Sequence, residues 1–315
     1  MRRVALIYNP MSGQRHARRA AILADVAAVF EGAGITVRLI PTTEAGDAGL
    51  LAQQASADGC DTVVACGGDG TAHEALQTMV GQSLVLGVIP LGTANALAAD
   101  LGLPRNAVKA AKMLLDAVPA RVPVGRISFC DSDGARQSRF FVVAAGAGVD
   151  AFFFARLNRQ LKHRFGYAAY VAAALQVWAT HNFPMFRASF AGGAEKVPRS
   201  ENVSQLLAVR IGNFGGLVRK LVPGAGLQSD NLHVIAFKTS SRLRYLRFMS
   251  AVWFARHTYS DAIELLECSS VECTELAGTG VTSMVEADGE LLGFLPASIE
   301  LVPQALNLLV PRTLR

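Results

Sequence analysis

The chain has 315 residues, of which 51% are hydrophobic and 17% charged. This composition excludes an intrinsically disordered protein, and the length allows two domains with separate cores. The formal net charge of +5 is mild. It suits attraction to anionic phosphates or lipid headgroups, and no basic stripe predicts a nucleic-acid partner.

Targeting and redox signals predict a cytoplasmic protein. The apolar run after the N-terminal arginines, Val4–Tyr8, is too short for a signal peptide and predicts a first β-strand. The longest apolar run, Phe165–Ala179, is shorter than the about 20 residues that a membrane-spanning helix needs. The 5 cysteines are odd in number and lack metal-ligand spacing, which indicates reduced thiols.

The first part of the chain alternates strand and helix patterns. The predicted elements are strand Val4–Tyr8, helix Ala17–Phe30, strand Ile35–Ile40, helix Asp47–Ala57, strand Thr62–Cys66, helix Ala72–Val80 and strand Leu84–Ile89. This order is typical of a parallel sheet with helices on both faces. Ligands of such sheets bind in the loops beyond the carboxyl ends of the strands.

After about residue 122 the pattern changes to short strands separated by turns, which is typical of an antiparallel β-sandwich. The predicted strands are Arg126–Phe129, Phe140–Ala145, Phe186–Phe190, Leu206–Ile211, Leu232–Phe237, Ala262–Glu267, Val271–Glu275 and Val285–Ala287. We expect a helical insertion at Asp150–His181. The sequence therefore predicts an α/β domain over 1–122 and a sandwich over 123–300, with 301–315 packing back on the first domain.

A glycine-rich loop follows the buried strand Thr62–Cys66. The glycines of GGDG let backbone N–H groups approach an anion, and a helix that opens near Thr71 directs its positive end to the same point. Asp69 would repel a phosphate there unless a divalent cation such as Mg²⁺ lay between them. The loop predicts a phosphate site; a strand-to-helix turn with Asp69 as N-cap is the alternative.

Two further loops follow strands of the same predicted sheet. The segment Pro90–Asn95 (PLGTAN) opens a helix after the fourth strand, and Asn9–Gly13 (NPMSG) follows the first. Neighbouring loops of a parallel sheet lie side by side, so Thr93 and Asn95 are expected to complete one nucleotide cleft. Arg15 is a candidate phosphate ligand, whereas Arg18 and Arg19 are expected on a solvated helix face.

These motifs resemble those of the bacterial diacylglycerol kinase-like lipid kinases, which are related to sphingosine and ceramide kinases. The matching segments, in family order, are NPMSG, GGDGT, PLGTAN, GAGVDA, GNFGG with LQSDNL, and VEADGE. The resemblance implies an α/β nucleotide domain, a β-sandwich and an active site between them. It also implies ATP and Mg²⁺ as cofactors, a lipid acceptor at a membrane surface and a protein with peripheral membrane association.

The resemblance assigns roles to individual residues. Those implied to bind ATP are Asn9, Ser12, Thr42, Gly67, Gly68, Asp69, Gly70, Thr71, His73, Gly92 and Thr93. Asp69 would hold the catalytic Mg²⁺. A structural Mg²⁺ would bind Asp230 and the main-chain oxygens of Leu227 and Leu232. Asp288 would be the catalytic base, with Glu290 beside it.

The sequence departs from the family pattern at three positions. His73 stands where the family usually has Asn, Ala96 where it usually has Asp, and Asn231 where it usually has Gly.

Several alternatives stay open on the sequence alone. Asp288–Gly289 is also a common tight-turn pair, so a turn without catalysis is an alternative to the base. A soluble NAD kinase-like enzyme and a non-catalytic lipid- or nucleotide-binding module compete with the lipid kinase. The Arg242–Phe248 segment alternates Arg with apolar residues and suits either an anionic membrane surface or solvent. The sequence does not identify the acceptor lipid or decide whether the chain forms a homodimer.

Overall fold

The computed structural model describes residues 1–10, 18–156, 175–193, 199–215, 221–253, 262–278 and 282–312. The chain divides into two compact units. The first unit contains Met1–Pro123 together with Pro303–Arg315, and the second contains Val124–Val302. The boundaries fall inside two long strands, β5 (Val118–Cys130) and β15 (Glu290–Val310).

The first unit is an α/β fold. Its elements are β1 (Arg3–Tyr8), α1 (Arg19–Glu31), β2 (Thr36–Pro41), α2 (Asp47–Ala57), β3 (Thr62–Gly67), α3 (Asp69–Met79), β4 (Val85–Pro90), α4 (Ala96–Asp100) and α5 (Ala107–Leu115). The strands pair in parallel in the order β2-β1-β3-β4-β15, where Asn307 and Leu308 of β15 pair with β4. Helix α1 packs against α5, and α2 against α3.

The centre of this sheet explains the continuous apolar runs in the sequence. Every residue of β3 is buried, because the strand lies between β1 and β4. A parallel sheet covered by helices excludes water from its strands, which favours unbroken Val, Ile and Leu runs over alternation. The predicted α/β class and its strand order in the chain are confirmed.

The second unit is built from antiparallel strands. In chain order its further elements are β6 (Arg136–Phe141), β7 (Ala144–Gly148), α6 (Val149–Arg156), β8 (Phe186–Ala191), β9 (Arg199–Val203), β10 (Gln205–Val209), β11 (Leu232–Phe237), α7 (Arg242–Trp253), β12 (Ile263–Cys268), β13 (Ser270–Glu275) and β14 (Met284–Ala287). One run of paired strands is β12-β11-β10-β7-β14-β15, and another is β9-β8-β13-β15. Buried apolar side chains from both runs form one core cluster.

The strands of this unit differ from the predicted ones in two places. The run Phe140–Ala145 is not one strand, because β6 ends at Phe141 and β7 begins at Ala144. Strand β9 was not predicted, because its sequence RSENV alternates polar side chains with few apolar ones. It forms on the ladder that β8 offers, with Phe186–Phe190 paired to Arg199–Val203.

Two helical segments of the second unit lie between β7 and β8 in the chain. Helix α6 follows β7 directly, and residues 175–180 are also helical. The middle of the predicted insertion Asp150–His181 lies outside the described residues. Within the described ranges, no helix is long and apolar enough to cross a membrane.

Candidate active site

Four strands of the first unit end at one edge of its sheet. Tyr8 at the end of β1 pairs with Pro41 of β2 and with Cys66 of β3, and Gly67 pairs with Pro90 of β4. All four strands are parallel and end at the same level. The loops that carry the glycine-rich motifs therefore start side by side, as the sequence predicts for a ligand site.

The GGDGT loop delivers a helix N-terminus to this edge. Gly68 is the N-cap of α3 and has no side chain to satisfy the first N–H groups. Asp69 is the first residue of the helix, so the alternative in which its side chain serves as the N-cap is wrong. Its Oδ1 instead accepts a hydrogen bond of 3.2 Å from the Leu97 N–H in the neighbouring motif.

Glycine at position 92 lets the second loop lie directly on the first. A Cβ atom at Gly92 would lie 2.5 Å from the Cα atom of Gly68. The N–H groups of Leu91 and Gly92 both donate to the Gly67 carbonyl oxygen, at 2.8 and 3.1 Å. Any larger residue at 92 would push the two loops apart, which explains why both motifs contain glycine at this contact.

Asn95 holds the shape of the second loop. Its backbone is left-handed (φ 55°), a conformation that Asn tolerates better than most residues. Its side-chain Oδ1 accepts from the Gly92 N–H at 2.9 Å, and its Nδ2 donates to the Gly92 carbonyl oxygen at 2.8 Å. Asn95 is buried, so its observed role is to shape the loop that presents the half-buried Thr93.

The other predicted nucleotide residues differ in accessibility. Thr42 follows β2 and is buried, and its N–H donates to the Tyr8 carbonyl oxygen at 2.9 Å. His73 lies one turn into α3 with its side chain buried. Asn9 is half-buried at the end of β1, and Ser12 lies outside the described residues, as does Arg15.

Arg19 is a buried cation below these loops, and its predicted position on a solvated face is wrong. Its Nη2 donates to the Leu91 carbonyl oxygen at 3.4 Å, and burial lowers the pKa of its guanidinium, although the adjacent Cys66 thiol opposes this shift. The helical periodicity of α1 indicates that Arg19 lies on its buried face, because Arg19 is four residues before Leu23 and eleven before Phe30, which are both buried. The charge of Arg19 outweighed this periodicity in the prediction.

A tight hairpin turn carries Asp288 in the second unit. Ala287 of β14 pairs with Glu290 of β15, and the two residues between them have positive φ angles, 49° at Asp288 and 83° at Gly289. This is the type of two-residue turn that Asp-Gly favours. Glu290, the first residue of β15, is half-buried beside the turn.

The Asp288 carboxylate is held by three consecutive backbone N–H groups. Its Oδ2 accepts from Val142 at 3.1 Å, and its Oδ1 accepts from Val143 at 2.8 Å and Ala144 at 3.1 Å. Two of the donors, Val142 and Val143, lie between β6 and β7, and the third, Ala144, is the first residue of β7. The carboxylate thus has a fixed orientation that the turn alone would not give it.

Two buried carboxyl groups lie under this turn. Glu286 of β14 accepts from the Gly289 N–H at 2.9 Å, and its strand partner is Gly146 of β7. The Asp150 carboxyl group packs over Gly146, where a Cβ atom would overlap its Oδ2. Both acids are therefore neighbours across one glycine, and sequence reasoning identified neither as an ionisable group of interest.

Burial changes the protonation of both acids. It raises the pKa of Asp150 to about 7, against the opposing effect of the Ala151 N–H. Burial, followed by the nearby Asp150 charge, raises the pKa of Glu286 well above its usual range. Two desolvated carboxyl groups side by side cannot both ionise at low cost, so we expect protons to be retained here near neutral pH.

This pair predicts a loss of stability with rising pH. The folded pKa of Asp150, about 7, lies above the unfolded value of about 3.9. The folded state therefore binds more protons between these values, and the free energy of unfolding falls as pH rises from about 4 to 7, by at most about 1.4 kcal/mol per pH unit for each proton. We expect Asp150→Asn to flatten this dependence, measured by urea unfolding at pH 5 and pH 8.

The matched control for this measurement is Asp133→Asn, because Asp133 is exposed in the turn between β5 and β6. It should unfold with the pH dependence of the wild type. Equal pH dependence in Asp150→Asn and the wild type would contradict the assignment of a raised pKa to Asp150.

The loop that was predicted to hold a structural Mg²⁺ is occupied by an arginine. Arg210 Nη2 donates to the Leu227 carbonyl oxygen at 3.0 Å, and Leu232 begins the buried strand β11. Asp230 lies in the same loop and opposes the effect of burial on the pKa of Arg210. This arrangement does not fit a divalent cation on the Leu227 carbonyl. Across the described part of the chain, no group of three or more His, Cys, Asp or Glu side chains is arranged to hold a metal ion.

Comparison with known families assigns both units. The family model described as diacylglycerol kinase catalytic domain matches residues 3–127. A second model, described as YegS C-terminal NAD kinase beta sandwich-like domain, matches residues 143–310. The two matches cover the parallel fold with its glycine loops and the antiparallel fold with its Asp288 turn.

Whole-length relatives agree with these matches. A diacylglycerol kinase of Mycobacterium tuberculosis is 31% identical over 98% of this chain and 96% of its own length. A diacylglycerol kinase of Bacillus subtilis is 26% identical over 99% of this chain and 97% of its own. A crystal structure of a diacylglycerol kinase from Bacillus anthracis shares the fold, with a TM-score of 0.71 at 18% identity, and covers 99% of this chain and 98% of its own.

The fold and these matches define a lipid kinase with an alcohol group as acceptor. The chain belongs to the diacylglycerol kinase family. The family resemblance predicted from the motifs is confirmed, as are the α/β and β-sandwich classes of the two units.

Proposed function

We propose that this protein transfers the γ-phosphate of ATP to a hydroxyl group of diacylglycerol or a similar lipid, in a reaction that requires Mg²⁺. The observation that supports this most is the contact between the two glycine loops. It places the N-terminus of α3 and the Asp69 carboxylate at one point on the carboxyl edge of the sheet. Phosphate binds well at such a helix end, where N–H groups and the helix dipole both favour negative charge.

Asp69 fits a role as ligand of the catalytic Mg²⁺. The N-terminus of α3 offers backbone N–H groups, which attract phosphate, whereas the half-buried carboxylate of Asp69 repels it. A divalent cation reconciles these charges and, when bound, would neutralise the charge that develops on the transferred phosphoryl group. The hydrogen bond from Leu97 to Oδ1 orients the carboxylate for this purpose.

Nucleotide binding is proposed for the backbone of Gly67–Thr71 and for Gly92 and Thr93, with Asn9, Ser12, Thr42 and His73 in their predicted supporting contacts. The accessible described members of this set are all half-buried: Asn9, Gly68, Asp69, Gly70, Gly92 and Thr93. Thr42 and His73 are buried, so they would act by shaping the loop floor more than by direct reach.

Asp288 is proposed as the base that accepts the proton of the lipid hydroxyl, with Glu290 beside it. Three backbone N–H groups fix the direction of its carboxylate, which is what in-line phosphoryl transfer requires of a base. The competing role, an anchor for the hairpin turn, is supported by the same hydrogen bonds. A variant that removes the carboxylate and one that strains the turn but keeps it would separate the two roles.

The experiment that tests the function is an ATP-transfer screen with dispersed acceptors. The acceptors are diacylglycerol, monoacylglycerol, ceramide, sphingosine and phosphatidylglycerol, with NAD as the competing soluble acceptor. We expect Mg²⁺-dependent phosphorylation of a glycerolipid hydroxyl. Transfer to NAD alone would favour the NAD kinase-like reaction, and no transfer to any acceptor would favour a binding module.

Helix α7 is the proposed contact with the membrane surface. Its inner side packs on the core through Tyr245 and Phe248, whose rings lie 5.5 and 4.9 Å from that of Phe237. Its outer side exposes arginines together with leucine, and Leu243 is 74% exposed. An outward face of this composition suits an interface with anionic lipid, where arginine binds headgroups and leucine enters the acyl boundary.

We therefore expect Leu243→Glu to weaken vesicle binding. Sedimentation with vesicles that contain phosphatidylglycerol should show less bound protein for the variant, because the new carboxylate repels anionic lipid and removes an inserting side chain. Wild-type binding should fall at high salt, since exposed charge attraction is screened. The matched control is Leu50→Glu on α2, where the leucine is 67% exposed in the first unit. Equal losses in both variants, or equal wild-type binding to neutral and anionic vesicles, would contradict this surface.

A further inference from the structure

We propose that the guanidinium of Arg210 serves as the built-in cation of the 227–232 loop, in place of the divalent metal ion that the family resemblance implies there. The loop would then keep its shape at any concentration of Mg²⁺. The proposal concerns the second unit and does not depend on the acceptor lipid.

The hydrogen bonds of Arg210 carry this inference. Its Nη1 donates to the carbonyl oxygens of Ser229 at 2.8 Å and Asn231 at 2.9 Å, and its Nη2 donates to that of Leu227 at 3.0 Å. Main-chain carbonyl oxygens that converge on one point are the ligands that hard cations prefer. Here they converge on a guanidinium, whose donors lie in one plane and can serve several oxygens together.

The Arg210 guanidinium binds the loop in the protein interior and not at the surface. Arg210 is 0% exposed, although it directly follows strand β10 and lies between the apolar residues Val209 and Ile211. Burial lowers the pKa of Arg210 to about 10, and the Asp230 carboxylate opposes this shift. The group therefore remains a cation at neutral pH. A buried cation of this kind needs hydrogen-bond acceptors, and the loop carbonyls supply them to Nη1 and Nη2.

The guanidinium and a metal ion exclude each other. The Leu227 carbonyl oxygen, one of the implied Mg²⁺ ligands, accepts from Arg210 Nη2 at 3.0 Å, so a Mg²⁺ ion bound to it at about 2.0–2.1 Å would lie next to the guanidinium. The two cations would lie side by side among the buried carbonyl oxygens of the loop, where like charges repel strongly because little water screens them. One cation is enough to satisfy the carbonyls, and this chain supplies it covalently.

Further hydrogen bonds within the loop add to those of Arg210. Ser229 Oγ lies 3.0 Å from His233 Nε2, and the Asn231 N–H donates to Ser229 Oγ at 3.3 Å. Asn231 is the residue that departs from the usual family glycine. Its main-chain carbonyl oxygen is one of the three that accept from Arg210.

The test is thermal unfolding of a set of variants with and without MgCl₂, in the absence of nucleotide. Asp69→Asn is the common background, because it removes the proposed catalytic Mg²⁺ ligand. In this background we expect no rise in Tm with MgCl₂, and none after Asp230→Asn is added. Arg210→Ala should lower the Tm by roughly 5–10 °C, since it leaves buried carbonyls unsatisfied.

Recovery of the Tm lost in Arg210→Ala is the decisive measurement. The cavity left by Arg210→Ala exposes the carbonyl cradle, so millimolar methylguanidinium or MgCl₂ should recover part of the lost Tm. The matched control is Arg187→Ala on β8, an exposed arginine of the same unit, which should show neither the loss nor the rescue. If Arg210→Ala does not fold, Arg210→Lys keeps one charge and is expected to recover part of the stability.

Two outcomes would overturn the inference. The first is a Tm rise with MgCl₂ in the Asp69→Asn background that Asp230→Asn abolishes, because it would show a metal ion bound in the loop. The second is an Arg210→Ala protein that melts like the wild type. Neither outcome would bear on the kinase reaction, which the acceptor screen tests separately.

Discussion

Asp69→Asn is expected to reduce kcat by about 10²–10⁴-fold, because a metal ligand that supplies several kcal/mol of transition-state stabilisation is lost. The fold should survive. The Asp69 contact that the structure identifies is Oδ1 with the Leu97 N–H at 3.2 Å, and an asparagine Oδ1 can accept the same hydrogen bond. The measurement is ATP turnover with lipid over a range of Mg²⁺ concentrations.

Metal dependence separates this role from a simple loss of charge. If Asp69 binds Mg²⁺, the variant should need a higher Mg²⁺ concentration for half-maximal turnover, and its melting temperature should stay near that of the wild type. Asp25→Asn on the exposed side of α1 removes one negative charge from the same unit and should leave turnover unchanged. Wild-type turnover of Asp69→Asn at ordinary Mg²⁺ would remove Asp69 from the mechanism.

The strands β1 to β4 and the helices between them could be predicted from the sequence for physical reasons, whereas helix α5 was not predicted. Buried parallel strands require continuous apolar runs, and the loops between strands and helices require glycine where backbones touch. Gly92 illustrates the second rule, since a Cβ atom at this position would overlap the Cα atom of Gly68. The helix start was placed two residues late, near Thr71 and not at Asp69, because a helix can begin on glycine when no side-chain cap competes.

What the sequence could not show is which distant residues meet. Asp288 is held by the backbone of Val142–Ala144, about half of the chain away, and backbone donors leave no mark on residue identity. The Asp150–Glu286 pair depends on the register of β7 with β14, which places Gly146 between them. Neither pairing follows from local periodicity.

Arg210 is an intermediate case, because its sequence does carry a signal. A single arginine inside the apolar run LLAVRIG conflicts with a buried strand, and such a conflict marks a residue with dedicated partners. The sequence does not say that the partners are the carbonyl oxygens of 227, 229 and 231. The structure supplies this information, and it changes the expected cation in the loop.

The contacts of Asp288 also change what its substitution should do. An asparagine can form the same hairpin turn, but it replaces one carboxylate oxygen with an NH₂ group. That group would face a backbone N–H of Val142, or of Val143 and Ala144, without an acceptor. Unsatisfied buried donors cost about 1–3 kcal/mol, so Asp288→Asn should lower stability whichever role Asp288 has.

Turnover must therefore be compared at a matched loss of stability. If Asp288 is the base, Asp288→Asn should cut kcat by about 10²–10⁴-fold with ATP affinity unchanged, because an amide cannot accept the hydroxyl proton. Gly289→Ala is the matched variant: it strains the same turn, where φ is 83°, and brings a Cβ atom to 3.2 Å from Phe154, but it keeps the carboxylate. A left-handed alanine costs about 1–2 kcal/mol, similar to the asparagine.

We expect Gly289→Ala to retain turnover within about 30-fold of the wild type, which is the most that a loss of about 1–2 kcal/mol in transition-state stabilisation would allow. A large loss in Asp288→Asn beside a small one in Gly289→Ala assigns proton transfer to Asp288. Parallel losses in the two variants would make Asp288 an anchor of the turn. In that case Glu290, which follows the turn at the start of β15 and is half-buried, becomes the base to test by Glu290→Gln.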